Sequence, residues 1–270
     1  MANLRIACLQ LGRSTDDLIA PHIVPLDTSP LLDPAAFLPH LEQFEAALLM
    51  PGERILSTLP VGLEKLSLTK YPNVRSRPSF SSYLPSASAV FDMLTGVHCP
   101  SLKYLELWYK IPTSEEFPSE DLLLTCLPRI FPLLHDLKIH RSVDCIVPKS
   151  CWDPVPIFRK LLPEFKHLRT FSLDPDIPDR PDWTALQSMD AKYAHLVKQL
   201  RTMAEEMVSI VPWLHEIAMF RLVEMISLSW ERWDVIAVPG EKIRLRAHLQ
   251  DRYPVAVLVI LEGPSMTEFE

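Results

Sequence analysis

The chain has 270 residues, 48% hydrophobic and 23% charged, which is ample apolar mass for a core and an ordinary charge density for a folded protein. A net charge of −7 leaves no surplus of Lys and Arg to neutralise phosphates, so nucleic acid is not expected as the main partner. Only 6 glycines argue against glycine-rich phosphate loops, whereas 26 prolines suit a chain of short elements and many corners.

From the N-terminus, Leu4–Leu11 reads as a strand-like stretch, with no basic segment and long apolar run of the kind that marks a signal peptide. Asp33-Pro34 places an N-cap acid before a proline at the first helical position. A phrase of the form P-x-L-x-x-Φ-x-Φ, with Φ apolar, then begins at Pro39-His-Leu-Glu-Gln-Phe-Glu-Ala46. It returns without its proline at Val61-Gly-Leu-Glu-Lys-Leu-Ser-Leu68. Residues 70–85 are rich in Ser and Pro and read as a loop, and Ser86–Thr95 fits a helix closed by Gly96. The phrase recurs at Pro100-Ser-Leu-Lys-Tyr-Leu-Glu-Leu107. Ser119 opens a helix with acids in its first turn, followed by Pro132-Leu-Leu-His-Asp-Leu-Lys-Ile139.

Asp153-Pro154 repeats the helix-start signal, and Lys166-His-Leu-Arg-Thr-Phe-Ser-Leu173 is a further copy without proline. Residues 174–182 form an acidic, proline-broken loop. From Asp182 to Ile210 the apolar residues follow i, i+3, i+4 spacing, which predicts a long helix with a break near Asp190. The last copy is Pro212-Trp-Leu-His-Glu-Ile-Ala-Met219. Beyond it, Val223–Trp230, Trp233–Val238, Lys242–His248 and Tyr253–Leu261 read as strands with short links. The run Val255–Leu261 is far below the ~20 apolar residues that span a bilayer, so no membrane is expected.

The aligned leucines Leu41, Leu63, Leu102, Leu134, Leu168 and Leu214 lie 22 to 46 residues apart, each interval long enough for a crossover between parallel strands. The expected fold is therefore α/β: an irregular solenoid over residues 1–219, with a parallel sheet on one face and helices on the other. A β-rich C-terminal cap over 220–262 is continuous with it, and 263–270 is a frayed tail.

Tandem L-x-x-L-x-L copies on β–α units resemble leucine-rich repeats. The phrases Cys99-Pro-Ser-Leu-Lys-Tyr-Leu105, Phe131-Pro-Leu-Leu-His-Asp-Leu137 and Val211-Pro-Trp-Leu-His-Glu-Ile217 carry a closer likeness, with Trp230 and Trp233 after the last copy. In style they are similar to the leucine-rich-repeat region of the large fungal F-box protein families, over roughly residues 38–240. The copies lack the asparagine that commonly follows the consensus strand, and they exceed the usual ~20–29 residues. The resemblance implies that the repeats recruit a substrate while an F-box helix bundle binds the adaptor of a cullin-RING ubiquitin ligase. Residues 1–37 are too short for that bundle, so the adaptor is an expected partner only where an F-box lies upstream.

No phosphate loop, dinucleotide fingerprint, nucleophile elbow or H-E-x-x-H motif is present, and His215-Glu216 has no second histidine at metal-binding spacing. His135, His140, Cys145 and Cys151 match no compact zinc pattern. Asp174, Asp176, Asp179 and Asp182 lack the turn glycine of a calcium loop and are interrupted by Pro175, Pro178 and Pro181. No catalytic residue, cofactor or metal is therefore expected. An odd number of scattered cysteines without C-x-x-C reads as reduced thiols in a cytoplasmic or nuclear protein.

Strand parity divides each phrase into inward leucines and outward residues. The outward set is the expected protein-binding face: Lys65 and Ser67; Tyr104, Glu106 and Trp108; Asp136, Lys138 and His140; Thr170 and Asp174. Glu216 and Phe220 extend it. Trp108 has two readings, a binding anchor or a ring covered by the cap or a neighbouring segment. Trp230 and Trp233 are expected to pack the cap. The expected function is a non-catalytic protein-interaction module that recruits substrates for an SCF-type ubiquitin ligase. The alternatives are an enzyme with a loop-built site and a truncated fragment without its own activity.

Overall fold

The computed structural model describes residues 4–10, 38–47, 49, 53–69, 84–143, 153–175, 190–223, 228–238 and 240–248. The motif proline has a specific job in it. Leu41 N–H donates to Leu38 O, Leu102 to Cys99 O, Leu134 to Phe131 O and Leu214 to Val211 O, at 3.0–3.3 Å in this set together with Leu63 to Pro60 O. Each bond closes a four-residue turn, and in four of the five the second residue is a proline, Pro39, Pro100, Pro132 or Pro212, where the fixed φ of proline is already correct. The turn delivers the motif leucine into the core, and these five leucines, with Leu168, are at most 1% exposed.

The strand follows two residues later: β1 Ile6–Gln10, β2 Gln43–Ala47, β3 Lys65–Thr69, β4 Tyr104–Ile111, β5 Asp136–Val143, β6 Thr170–Asp174 and β7 Glu216–Val223. The residues that precede β1 to β6 stack as well. The carbonyls of Arg5, Glu42, Glu64, Lys103, His135 and Arg169 each accept two N–H groups from the next strand's entry, at 2.7–3.0 Å. This column holds all seven strands in one register, with Ile6, Gln43, Lys65, Tyr104, Asp136, Thr170 and Glu216 side by side. The sheet is parallel from β1 to β7 and runs in chain order.

Helices α1 Ala87–Thr95, α2 Phe117–Ile130, α3 Pro154–Leu161 and α4 Asp190–Val208 occupy crossovers. Their buried residues and the inward strand residues form one cluster, including Leu94, Leu127, Phe158 and Met207 beside Leu105, Ile139, Phe171 and Ile217. Burying each such side chain stabilises the fold by about 1.5–3 kcal/mol. Ser86 caps α1 by accepting from Ala89 N–H, and Asp153 caps α3 by accepting from Val155 N–H, with Pro154 next as the sequence predicts. Helix α2 begins at Phe117, two residues before the expected Ser119. A 3₁₀ turn at Ser114–Glu116 leads into it, and Glu116 uses its carboxylate on the N–H and hydroxyl of Ser88 in α1.

The C-terminal strands differ from the expected set. Trp230 and Trp233 lie on a single strand, β8 Leu228–Ile236, rather than on two, and β9 is Arg244–Ala247. Both pair antiparallel at the end of the same sheet. Three residues apart on a strand, the two tryptophans face opposite ways. Trp233 enters the main core opposite Ile217, and Trp230 packs on the other face with Phe220 and Ala218. The Asp33 helix start, the loops at 70–83 and 176–182, the strand at 253–261 and the tail lie outside the described residues.

Candidate functional site

The ten predicted face residues lie on β3 to β6, and the register brings them together in three transverse rows. Lys65, Tyr104, Asp136 and Thr170 form the first. Ser67, Glu106 and Lys138 form the second, and Trp108, His140 and Asp174 the third. Their exposure is uneven. Lys65, Tyr104, Trp108, Asp136, Lys138, Thr170 and Asp174 are half-buried, whereas Ser67, Glu106 and His140 are buried. Parity places a residue on a face; it does not say what lies over that face.

Glu106 is the hub. Its Oε1 accepts from Trp108 Nε1–H at 3.1 Å and pairs with Lys138 Nζ at 2.8 Å. Its Oε2 accepts from the Tyr104 hydroxyl at 3.0 Å and from Ser67 Oγ at 3.5 Å. Burial by itself would raise the carboxyl pKa, but the Lys138 charge and the Lys138 and Trp108 hydrogen bonds outweigh it and hold Glu106 below the ordinary carboxylate range. Tyr104 is pushed the opposite way, first by burial and then by the Glu106 charge beside it. Lys65 Nζ sits 4.8 Å from the centre of the Tyr104 ring, within cation–π range.

A ring stack adjoins the hub. Trp108 and His140 lie nearly parallel, 19° apart with centroids at 3.6 Å. Phe220 and Trp230 meet the His140 ring edge-on at 5.8 and 5.0 Å, and each other at 5.3 Å. Lys138 Nζ lies 5.2 Å from the Trp230 ring centre. Among the described residues neither His140 nitrogen has a hydrogen-bond partner, although Nε2 is 3.7 Å from Glu106 Oε1 and Nδ1 is 3.9 Å from Asp174 Oδ2. Both separations are too long for hydrogen bonds. Burial lowers the His140 pKa against the pull of Asp174 and Glu106, so the ring favours its neutral form.

Trp108 is thus half-covered, held by His140 on its face and Glu106 on its nitrogen. Phe220, expected at the surface, is 3% exposed because β8 turns back beside β7 and brings Trp230 against it. Trp230 packs as expected, but it also walls this site, which sequence reasoning did not assign to it. The available signal was its spacing of three from Trp233.

A histidine between two carboxylates has the residue types for proton transfer. Here the ring is 2% exposed and roofed by aromatics, so a substrate atom has no approach to it. Among the described residues no three or more His, Cys, Asp or Glu side chains gather to hold a metal ion, and no helix is long and apolar enough to cross a membrane. Cys145 and Cys151 lie outside the described residues.

The opposite face of β4 and β5 holds a second polar cluster. Arg141 Nε and Nη2 donate to Glu120 Oε1 and Oε2 at 2.6 and 3.1 Å, and the Tyr109 hydroxyl donates to Oε1 at 2.8 Å. All three residues are at most 3% exposed. This cluster ties α2 to the sheet and has no access to solvent. Comparison with family models, with curated proteins and with solved structures finds no match to this chain.

Proposed function

We propose that the chain is a non-catalytic protein-interaction module, an irregular leucine-rich-repeat-like solenoid that binds a protein on the outward face of its parallel sheet. The observation that carries this reading is the assembly of half-buried Lys65, Tyr104, Trp108, Asp136, Lys138, Thr170 and Asp174 on one continuous face, in register across four strands. Aromatic and charged side chains at this density are the types that dominate interface energetics. The resemblance to fungal F-box proteins extends the proposal to substrate recruitment for an SCF-type ubiquitin ligase in the cytoplasm or nucleus.

The test is affinity capture with the full chain and with Trp108→Ala and Lys138→Ala, each checked for an unchanged melting transition. Loss of a specific protein from the variants supports the face. An identical set of captured proteins removes it. Capture of the ligase adaptor or of ubiquitin-ligase substrates tests the extension.

A further inference from the structure

The ring stack has one feature that packing alone does not require: a buried imidazole with neither nitrogen satisfied among the described residues. Groups of this kind are costly and uncommon. We infer that His140 is a pH-sensitive latch: while it is neutral, the stack of Trp108, Phe220 and Trp230 around it stays closed, and its protonation opens that stack and loosens this end of the face. This regulates the face described under the proposed function and rests on that reading for its biological use, though not for its chemistry.

The surroundings explain the direction. Protonation would place two N–H groups and a charge on a ring that is 2% exposed. Glu106 on β4 is nearest at 3.7 Å, but its carboxylate already serves Lys138, Trp108, Tyr104 and Ser67. Asp174 on β6 stands 3.9 Å from Nδ1. Lys138, on the same strand as His140, adds a positive charge between Glu106 and Trp230. From β7 and β8 the rings that meet His140 are Phe220 and Trp230, neither of which titrates, and the charged Arg232 on β8 reaches Glu216 at 4.0 Å. The Trp108 face and the two carboxylates favour an imidazolium. Loss of water opposes it and prevails, in agreement with the lowered pKa of the ring. A charged ring needs water, and the Trp108, Phe220 and Trp230 rings packed around it stand in the way, so that stack, Trp230 included, is what must move.

The experiment needs no partner, so its failure is separate from failure of the proposed function. Acrylamide quenching of tryptophan fluorescence is followed on the full chain from about pH 8 down to about pH 5, a span that brackets the ~6.5 of an unperturbed histidine. Quenching of the native chain is expected to rise with a midpoint below that reference, and His140→Phe, which keeps an aromatic ring without a proton site, is expected to stay flat. A flat native profile, or an equal rise in the variant, overturns the latch. Should His140→Phe not fold, an NMR titration of native His140 decides. A midpoint below the reference that coincides with movement of the Trp230 indole resonance supports the latch. A midpoint at or above the reference, or no movement of Trp230, overturns it.

Discussion

Arg141 and His140 are consecutive residues on β5, equally buried, and they face opposite ways. On the helix side, Arg141 meets a carboxylate in two hydrogen bonds and shares it with Tyr109. On the open side, His140 stands between two carboxylates and bonds to neither. The first cluster is satisfied and belongs to the fold. The second is held by ring contacts and a neutral charge state, so it depends on conditions. Burial alone does not distinguish a structural polar group from a responsive one; the hydrogen-bond inventory does.

The sharpest way to break this contrast is to cut the helix-side pair. Arg141→Ala leaves Glu120 charged and buried, and a loss of about 3–5 kcal/mol is expected in denaturant melts. Replacing both Arg141 and Glu120 with leucine removes the charges together and should recover most of that loss. If Arg141→Ala melts like the native chain, the helix-side cluster is not structural and the comparison falls.

The sequence made the column of leucines and the face membership of all ten site residues legible, because a turn proline, a buried leucine and period-two alternation are local signals. It did not reveal that Ser67, Glu106 and His140 are covered. For His140 that depends on Trp230, which arrives from an antiparallel strand ninety residues beyond it; for Ser67 and Glu106 it depends on Tyr104, Trp108 and Lys138 converging on one carboxylate. The Arg141–Glu120 pair had a faint trace. Arg141 follows Leu137 and Ile139 at inward parity, where a charge needs a partner, but nothing local named Glu120, which reads as an ordinary acid in the first turn of a helix. The link between them is tertiary.

Two tyrosines on β4 make the same comparison with smaller effects. Tyr109 donates to Glu120 at 2.8 Å in the core, and Tyr104 donates to Glu106 at 3.0 Å on the open face. Tyr109→Phe removes a fully buried bond to a charged group, for an expected loss of about 1.5–3 kcal/mol. Tyr104→Phe should cost about 1 kcal/mol or less, since water can replace a half-exposed hydroxyl. Equal losses would show that the two faces are equally dry.

The pH dependence of stability separates the open-face groups. Glu106 has a folded pKa below its unfolded value, so its contribution is full above the unfolded carboxylate range, near ~4.3, and is lost as pH falls through the lower folded value. His140 is also depressed in the fold. The unfolded chain therefore takes up its proton first, and stability declines as pH falls from ~6.5 toward the folded value. Unfolding midpoints against pH should show two descending segments. Glu106→Gln is expected to remove the lower one, and His140→Phe the upper. A single segment insensitive to both variants would place the acid response elsewhere.

The mildest change is expected at Ser67. It was predicted to meet a partner, yet it is 1% exposed and its hydroxyl reaches Glu106 only at 3.5 Å, the outer limit of a hydrogen bond. Ser67→Ala removes a weak bond and a buried polar atom together, so stability should change by no more than about 0.5 kcal/mol. Capture of any partner that depends on Trp108 should survive, because no partner atom reaches this side chain while Tyr104, Trp108 and Lys138 converge on Glu106 beside it. Loss of capture in Ser67→Ala at unchanged stability would mean that the hub itself opens on binding, which would make Glu106, rather than the half-buried residues around it, the contact that selects the partner.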